Sequence, residues 1–147
     1  MIRLANENDL DRIKQIANQN REFIGFVMKV ALKESIKNHS LLVYEKDNKI
    51  VGFVHFYKRL DVWNTLHELA VDKNYQNNGI GKELFSCVPI PVRLKTTVDN
   101  INAIKFYELN GMTQVRTELG KKRELIVFES LYGLELKMTK NKSKKLK

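Results

Sequence analysis

The sequence predicts one α+β (mixed α/β) domain, and three observations support this class. The 147 residues include 43% hydrophobic and 29% charged residues, which is the balance of a soluble globular protein with a single core. The hydrophobic pattern has a helical period up to residue 40 and becomes a series of short apolar runs after it. Residues 1–135 contain no internal repeat and no linker rich in proline, glycine or serine, so they are expected to form one domain.

Local patterns define the individual elements. Asn8 or Asp9 can cap a first helix, whose apolar residues recur at spacings of three and four. Turn-forming residues at 46–49 separate two apolar runs, which predicts a β-hairpin. Pro89 stops a later helix, and Gly111 is a natural C-cap for the last one.

The predicted elements follow the order β-α-α-β-β-β-α-β-α-β-β, which is typical of a mixed domain built on a central sheet. Between the first two helices, an apolar stretch with Gly25 is expected to be a loop. The second predicted helix contains Val27, Val30, Ala31 and Glu34 along its length. The predicted strands cover residues 2–5, 41–45, 50–57, 62–71, 92–98, 112–116 and 124–130, and the later helices cover residues 27–37, 79–88 and 100–111.

The formal charge of +9 is concentrated at the C-terminus. No acidic residue follows Glu135, whereas six lysines do, and removing those six from +9 leaves +3 on the rest. Residues 136–147 are therefore expected to be a disordered, lysine-rich tail. Such a tail is either a solubilising extension or a loose contact for an anionic surface, so nucleic acid is not expected as a partner beyond tail contacts.

Other features indicate a cytoplasmic protein without a membrane partner. The longest nearly apolar run, residues 50–56, is too short to cross a bilayer, and the N-terminus lacks the apolar segment of a secretory signal. Cys87 is the only cysteine, so no intrachain disulfide can form. It lies among apolar residues of a predicted helix and is expected to pack there.

The most informative stretch is residues 71–82, where an apolar strand gives way to a helix. Gly79 and Gly81 would let the backbone approach a diphosphate, which the unpaired N–H groups and the positive end of a helix can hold. Lys82 adds a cation in the first helical turn. The Walker pattern does not fit, because Glu83 follows the Gly-Lys pair, and neither does the three-glycine dinucleotide pattern.

Two segments in the correct order resemble the GNAT N-acetyltransferase superfamily. Gln76-Asn77-Asn78-Gly79-Ile80-Gly81 is similar to its acetyl-CoA pyrophosphate signature, Gln/Arg-x-x-Gly-x-Gly/Ala, and residues 68–72 resemble its fourth strand. Residues 100–112 are similar to Asn-x-x-Ala-x-x-Phe-Tyr-x-x-x-Gly-Phe, with Met112 in place of the last Phe. The resemblance implies an acyl-CoA N-acyltransferase fold with a mostly antiparallel sheet of about six or seven strands and about four helices.

The resemblance also implies binding roles for acetyl-CoA, the cosubstrate. The backbone of Leu69, Ala70 and Val71 would pair with the pantetheine arm. Asn100 and Tyr107 would face the lower pantetheine and the thioester, and Lys105 either touches the 3′-phosphate or is an ordinary exposed lysine. The pyrophosphate would be held by the segment Gln76, Asn77, Asn78, Gly79, Ile80, Gly81 and Lys82.

Catalytic roles follow from the same resemblance. Glu68 is the candidate general base, or else a solvent-facing strand residue, and the adjacent His67 could serve instead, although the two should point to opposite faces of the strand. Tyr107 is the candidate acid for the leaving thiolate, or else a core tyrosine with its hydroxyl in water. His55, among apolar neighbours, could be a satisfied buried histidine. No Cys/His cluster has metal-ligand spacing, so no metal is expected.

The implied reaction is direct transfer of the acetyl group to a primary amine in a ternary complex. The acceptor would be a small-molecule or peptide amine that the sequence does not identify, and a homodimer is a further expectation. Two alternatives stay open: a catalytically silent acyl-CoA-binding module, and a nucleic-acid or ribosome-associated protein that uses the basic tail.

Overall fold

The computed structural model of the chain describes residues 1–58 and 61–130, so the predicted tail at 136–147 lies outside the described residues. The strands are β1 (Ile2–Leu4), β2 (Leu41–Lys46), β3 (Lys49–Lys58), β4 (Asn64–Val71), β5 (Val92–Thr97), β6 (Thr113–Leu119) and β7 (Glu124–Glu129). The helices are α1 (Leu10–Gln19), α2 (Arg21–Ile24), α3 (Lys29–Lys37), α4 (Ile80–Ser86) and α5 (Ile101–Leu109). The seven strands form one sheet in the order β1-β2-β3-β4-β5-β7-β6, which confirms the predicted mixed fold.

The described residues divide into two compact units. The first contains residues 1–58 and 66–88, and therefore β1 to β3, most of β4 and helices α1 to α4. The second contains residues 61–65 and 89–130, and therefore the start of β4, β5, α5, β6 and β7. Within the described ranges, no helix has the length and apolar character needed to cross a membrane.

The chain enters α1 through a capping arrangement that differs from the prediction. Asp9, one of the two predicted residues, occupies the N-cap position of α1 but makes no side-chain capping bond to that helix. Asn6 supplies the capping oxygen of the preceding 3-10 turn, which accepts a hydrogen bond from the Asn8 N–H at 2.9 Å. Asp9 closes the capping box by accepting from the Asn6 N–H, and Arg3 donates to both of its carboxylate oxygens. The pattern pointed to the right region but not to the residue that begins the turn, because a short 3-10 turn precedes the helix.

The segment between α1 and α3 is not wholly a loop, because residues Arg21–Ile24 form the one-turn helix α2. Of the residues named in the second predicted helix, Val30 lies outside the core. Val30 is 72% exposed, whereas Leu32 is fully buried and Ser35 is buried beside it. The helix begins at Lys29 rather than at residue 27, so Val27, which is 3% exposed, is buried ahead of the helix and not within it.

The predicted hairpin between β2 and β3 is confirmed. Lys46 faces Lys49 in the antiparallel register, and the two turn residues, Asp47 and Asn48, have φ values of 54° and 60°. Two consecutive residues with positive φ define the type I′ turn, which matches the twist of the flanking strands. The hairpin positions β3 as the central strand of the first unit, with β2 hydrogen-bonded on one side.

Helix α4 lies close against β3 at Gly52. An added Cβ there would lie 3.0 Å from a Leu84 methyl group, 3.2 Å from the Ala70 carbonyl oxygen and 3.3 Å from Ile80. The absence of a side chain at this position therefore lets the helix approach the sheet. This approach fixes the direction in which α4 leaves the loop that follows β4.

The second unit is built on three strands and one helix. β4 pairs in parallel with β5 at Asn64 and Thr65, and β7 pairs antiparallel with both β5 and β6. Asn100 caps α5 by accepting from the Ala103 N–H at 3.3 Å, and Gly111 follows the helix with φ of 86°. Both predicted ends of α5 are confirmed.

We predict that Leu32→Ala lowers the free energy of unfolding by about 2–5 kcal/mol, because it removes fully buried apolar volume and leaves a cavity. Val30→Ala, on the exposed side of the same helix, is the matched control and should change stability by less than about 0.5 kcal/mol. Urea unfolding of the two variants measures both values. Equal losses in the two variants would contradict the assignment of the buried face.

Candidate active site

Glu68 lies on β4 with its carboxylate held inside the first unit. Its Oε2 atom is 2.6 Å from Nδ1 of His55 on β3, and the Glu68 side chain is 16% exposed. The His55 side chain is only 1% exposed. The carboxylate is therefore fixed by a buried partner on one side and retains limited access to solvent on the other.

Helix α3 completes this contact. Nε2 of His55 is hydrogen-bonded to Oγ of Ser35, which is fully buried and donates to the Ala31 carbonyl at 2.9 Å. His55 thus connects a helix hydroxyl to a strand carboxylate through its two ring nitrogens. This arrangement confirms that His55 is a buried histidine with its polar atoms satisfied.

Two further rings surround His55. Tyr57 contacts it edge-on at a centroid distance of 4.8 Å, and His67 packs against Tyr57 at 4.2 Å. Burial lowers the pKa of His67, and this effect exceeds the opposing attraction of the nearby Glu68 carboxylate. Nδ1 of His67 lies 4.0 Å from Oε1 of Glu68, so the two neighbouring side chains approach each other rather than diverge as predicted.

The loop after β4 is anchored to α1 by a buried carboxylate. Asp72 is 2% exposed, accepts from the Asn74 N–H at 2.9 Å and forms an ion pair with Arg12. Arg12 also donates to the Ile50 carbonyl at 2.8 Å. The backbone hydrogen bond from Asn74, together with the Arg12 guanidinium, lowers the pKa of Asp72.

The Val71 carbonyl is a second anchor for the same loop. It accepts from the side-chain amides of Asn20 at 3.2 Å and Gln76 at 3.0 Å. Gln76 also donates to the Asn20 side chain at 3.3 Å. The Gln76 side chain therefore ties the loop to β4 and α1, while the residue as a whole stays exposed.

Past these anchors, the loop turns into α4 at Gly79. This residue has φ of 79°, and a Cβ placed on it would meet nothing within 4 Å. Glycine adopts this conformation without the strain that other residues meet. The first N–H groups of α4 have no partner within the helix, so they are available to an anion at the exposed turn.

Tyr107 lies on α5 in the second unit, between the rings of Phe106 and Phe128 at centroid distances of 5.3 Å and 5.9 Å. Burial raises the pKa of Tyr107, so the phenol stays protonated at neutral pH. Asn100, predicted to face the cofactor, uses its side-chain oxygen as the cap of the same helix.

The remaining predicted residues are mostly on the surface. Lys82 and Lys105 are exposed, each in its own unit. Cys87 is exposed and its thiol donates to the Glu83 carbonyl, so the expectation of a packed cysteine is wrong. Among the described residues, no group of three or more His, Cys, Asp and Glu side chains could hold a metal ion.

A family comparison accounts for this combination of strand, loop and helix. Residues 37–113 match the model of the acetyltransferase (GNAT) domain, which is more than half of the chain. The chain belongs to the GNAT acetyltransferase family. No curated protein sequence matches it.

Solved structures of GNAT proteins have the same fold. Ard1 from Thermoplasma volcanium is 20% identical, with a TM-score of 0.77 over 88% of this chain and 95% of that one. The ribosomal-protein-S18-alanine N-acetyltransferase from Escherichia coli is 18% identical, with a TM-score of 0.73 over 88% and 91%. Arabidopsis thaliana Naa50, in complex with the bisubstrate analogue CoA-Ac-MVNAL, is 18% identical, with a TM-score of 0.70 over 88% and 96%.

The GNAT motifs identified the loop and the two candidate catalytic residues, but not the side chains that hold them in place. The first unit brings Glu68 and the loop residues together, whereas Tyr107 belongs to the second unit. Arg12, Asn20 and Ser35 were missed because each is a polar residue with no motif around it. Arg12 and Ser35 lie in helices, and Asn20 lies between α1 and α2. The only sequence signal for such a residue was a polar side chain at a position that the apolar spacing of the neighbouring helix places toward the core.

We predict that Asp72→Asn weakens the pH dependence of stability. The folded-state pKa of Asp72 lies below its ordinary value of about 3.9, so the carboxylate stabilises the fold fully at neutral pH and loses this contribution as the pH falls below about 4. The variant should therefore be less stable than the wild type at neutral pH and should lose less on acidification.

Urea unfolding at about pH 7 and about pH 3 measures this difference. Asp11→Asn is the matched control, because the Asp11 carboxylate is exposed and pairs only with an exposed lysine. It should keep the wild-type pH dependence. A decline in Asp72→Asn as steep as in the wild type would contradict the prediction.

Proposed function

We propose that this GNAT protein is an N-acetyltransferase that moves the acetyl group of acetyl-CoA to a primary amine by direct attack in a ternary complex. The observation that carries the proposal is the position of Glu68. Its anchored carboxylate lies on the same strand that leads, through Asp72, into the glycine turn of the family signature. A proton acceptor and a diphosphate-binding loop are thus fixed to one strand.

The loop fits the pyrophosphate of acetyl-CoA. Gly79 offers open space and a backbone that can lie against phosphate oxygens, and the first-turn N–H groups of α4 can donate to them. Exposed Lys82 adds positive charge in that turn. The proposed binding segment comprises the backbone of Gln76, Asn77, Asn78, Gly79, Ile80 and Gly81, together with Lys82.

We assign the pantetheine arm to the backbone of Leu69, Ala70 and Val71. The pairs between β4 and β5 are at Asn64 and Thr65, so the assigned residues are not among them. The Val71 carbonyl already accepts two side-chain amides, and both of its lone pairs are occupied. The pantetheine amides would therefore bond to Leu69, Ala70 or the Val71 N–H.

Glu68 is our candidate general base. The acceptor ammonium must lose a proton before its nitrogen has a lone pair, and the carboxylate can take that proton directly or through a water. The nitrogen then forms a bond to the acetyl carbonyl carbon while the bond from that carbon to sulfur breaks. His67 is the alternative base, because its lowered pKa leaves its ring neutral and able to accept a proton.

Tyr107 is our candidate donor to the leaving thiolate. Its raised pKa keeps the phenol protonated but also makes it a weaker acid than an ordinary thiol, whose pKa is about 8.5. A hydrogen bond to the developing thiolate is therefore the main contribution expected from this hydroxyl. Asn100 and Lys105 keep their proposed contacts with pantetheine and with the 3′-phosphate.

Two structural neighbours support a proposal for the acceptor class. One of them acts on an alanine of ribosomal protein S18, and another was solved with a CoA-linked peptide. We therefore propose peptide or protein amines as the first acceptors to test, with small-molecule amines next. A homodimer and a cytoplasmic location remain predictions, and the exposed strand β6 at the end of the sheet is the surface on which a second copy could pair.

We predict that CoA binds the wild type and that Gly79→Ala weakens the affinity at least about tenfold, since a methyl group would enter the space assigned to the diphosphate. Gly25→Ala is the matched control, with φ of 75° and the same open surroundings. Both variants should lose about 1–2 kcal/mol of stability from the positive φ, but only the first should lose affinity. Calorimetric titration with CoA distinguishes them, and absence of wild-type binding would contradict the proposal.

We predict that Glu68→Gln and Tyr107→Phe each lower kcat by about 10²–10⁴-fold, because each removes one proton-transfer or hydrogen-bonding group. Thiol release from acetyl-CoA with a panel of peptide and small-molecule amines measures the rates. Glu7→Gln and Tyr44→Phe change the same chemical groups elsewhere and are the controls. CoA binding without turnover by the wild type would instead support the catalytically silent alternative.

A further inference from the structure

His55 is a buried histidine that lies outside both GNAT motifs and has no step in the proposed reaction. It nevertheless contacts three elements of the first unit: Ser35 on α3, Tyr57 on its own strand and Glu68 on β4. Its ring nitrogens differ in their partners, and these partners determine where its protons lie. The numbers of donors and acceptors on each partner group determine which ring nitrogens of His55 carry protons.

Ser35 determines the state of Nε2. The hydroxyl has one proton, and its oxygen lies 2.9 Å from the Ala31 carbonyl, which can only accept. The proton must lie between these two oxygens, so the Ser35 oxygen is left as an acceptor toward His55. Nε2 of His55 therefore carries a hydrogen and donates it to Ser35.

Glu68 determines the state of Nδ1. This nitrogen lies 2.6 Å from Oε2, a separation that requires a proton between the two atoms. With Nε2 already protonated, the pair is either an imidazolium with a carboxylate or an imidazole with a carboxylic acid. Both forms have zero net charge, which is the state that a buried pair tolerates best.

We propose that His55 is a positioning residue for the acetyl transfer. Ser35 anchors its ring, and the ring keeps one proton at Oε2 of Glu68. Oε1 is then the only carboxylate oxygen that receives the proton of the acceptor ammonium. This role rests on the proposed function, because it requires Glu68 to be the base. Oε1 faces His67, whose Nδ1 lies 4.0 Å away, so the receiving oxygen has a defined direction.

The arrangement also determines the fate of the transferred proton. In the imidazolium–carboxylate form, the N–H bond of the ammonium breaks and a bond from Oε1 to hydrogen forms. The pair is then an imidazolium beside a carboxylic acid, and it gains a positive charge next to a His55 side chain that is only 1% exposed. This cationic pair lies beside His67, whose side chain is 45% exposed and whose pKa is lowered by partial desolvation, so a second charge is disfavoured there. The proton therefore passes from Oε1 to water, and the pair returns to its neutral form before the next turnover.

Nitrogen-15 NMR of histidine-labelled protein tests the protonation pattern without any substrate. Nε2 of His55 should carry a proton, and Nδ1 should share one with Glu68, in a resonance that shifts in Glu68→Gln. The chain contains three histidines, so substitution of His39 and His67 assigns the signals. A ring with an unprotonated Nε2 would overturn the inference, whether or not the protein is active.

Kinetics test the functional consequence. His55→Leu removes both ring contacts and should lower kcat about 10–100-fold with KM for acetyl-CoA unchanged, because the loop that binds the cofactor is intact. His55→Asn keeps a donor near the position of Nδ1 and should recover part of the loss. Ser35→Ala should lower kcat about tenfold. Ser40→Ala should retain the wild-type kcat, because the buried Ser40 hydroxyl donates to the Ser35 carbonyl and not to His55.

The outcomes separate this inference from the function on which it rests. Wild-type activity with unchanged kcat in folded His55→Leu would overturn the positioning role and leave the acetyltransferase proposal intact. If His55→Leu instead lost kcat and acetyl-CoA binding equally, and His55→Asn recovered neither, His55 would be a merely structural residue. That result would also overturn the positioning role. Inactivity of the wild type would overturn the proposed function, and with it the role assigned to His55.

Discussion

The C-terminal part of β4 is fixed at one end by the half-buried Glu68 carboxylate and at the other by the buried Asp72 carboxylate, and the rest of the first unit is arranged around them. Glu68 is held by His55 and α3, and Asp72 is held by Arg12 and α1. A buried carboxylate without its partner costs about 3–5 kcal/mol, so the strand cannot shift past either helix without a large penalty. Five residues of backbone are thereby held in one position.

This fixed strand explains how a small GNAT domain can position a reaction with few residues. The backbone of residues 69–71 lies between the two carboxylates, and the glycine turn follows a few residues later. The Val71 carbonyl bonds tie the turn to α1, while Gly52 allows α4 to lie against β3. The proposed base, the strand proposed for pantetheine and the loop proposed for the diphosphate are therefore held to one another by bonds within the first unit, as the orientation of a thioester before attack would require.

Much of this arrangement could be predicted from the sequence, because its motifs are local. The hairpin at 46–49, the cap at Asn100 and the glycine turn each depend on a few consecutive residues whose backbone preferences are strong. The burial of Ser35 on α3 could not be predicted, because a polar side chain adds nothing to the apolar period and its partner His55 lies on another element. The partners of Glu68 and Asp72 are far apart in the chain, and a single sequence contains no signal for such pairs.

Hydrogen exchange at the backbone amides of the turn that starts α4 is the most direct test of the central claim. In the absence of ligand, the amides of residues 79–82 have no partners inside the helix, and Gly79 and Lys82 are exposed. Saturating CoA should slow their exchange markedly, while amides of the exposed strand β6 keep their rates. Unchanged exchange at residues 79–82 in the presence of bound CoA would contradict the claim that this loop holds the diphosphate.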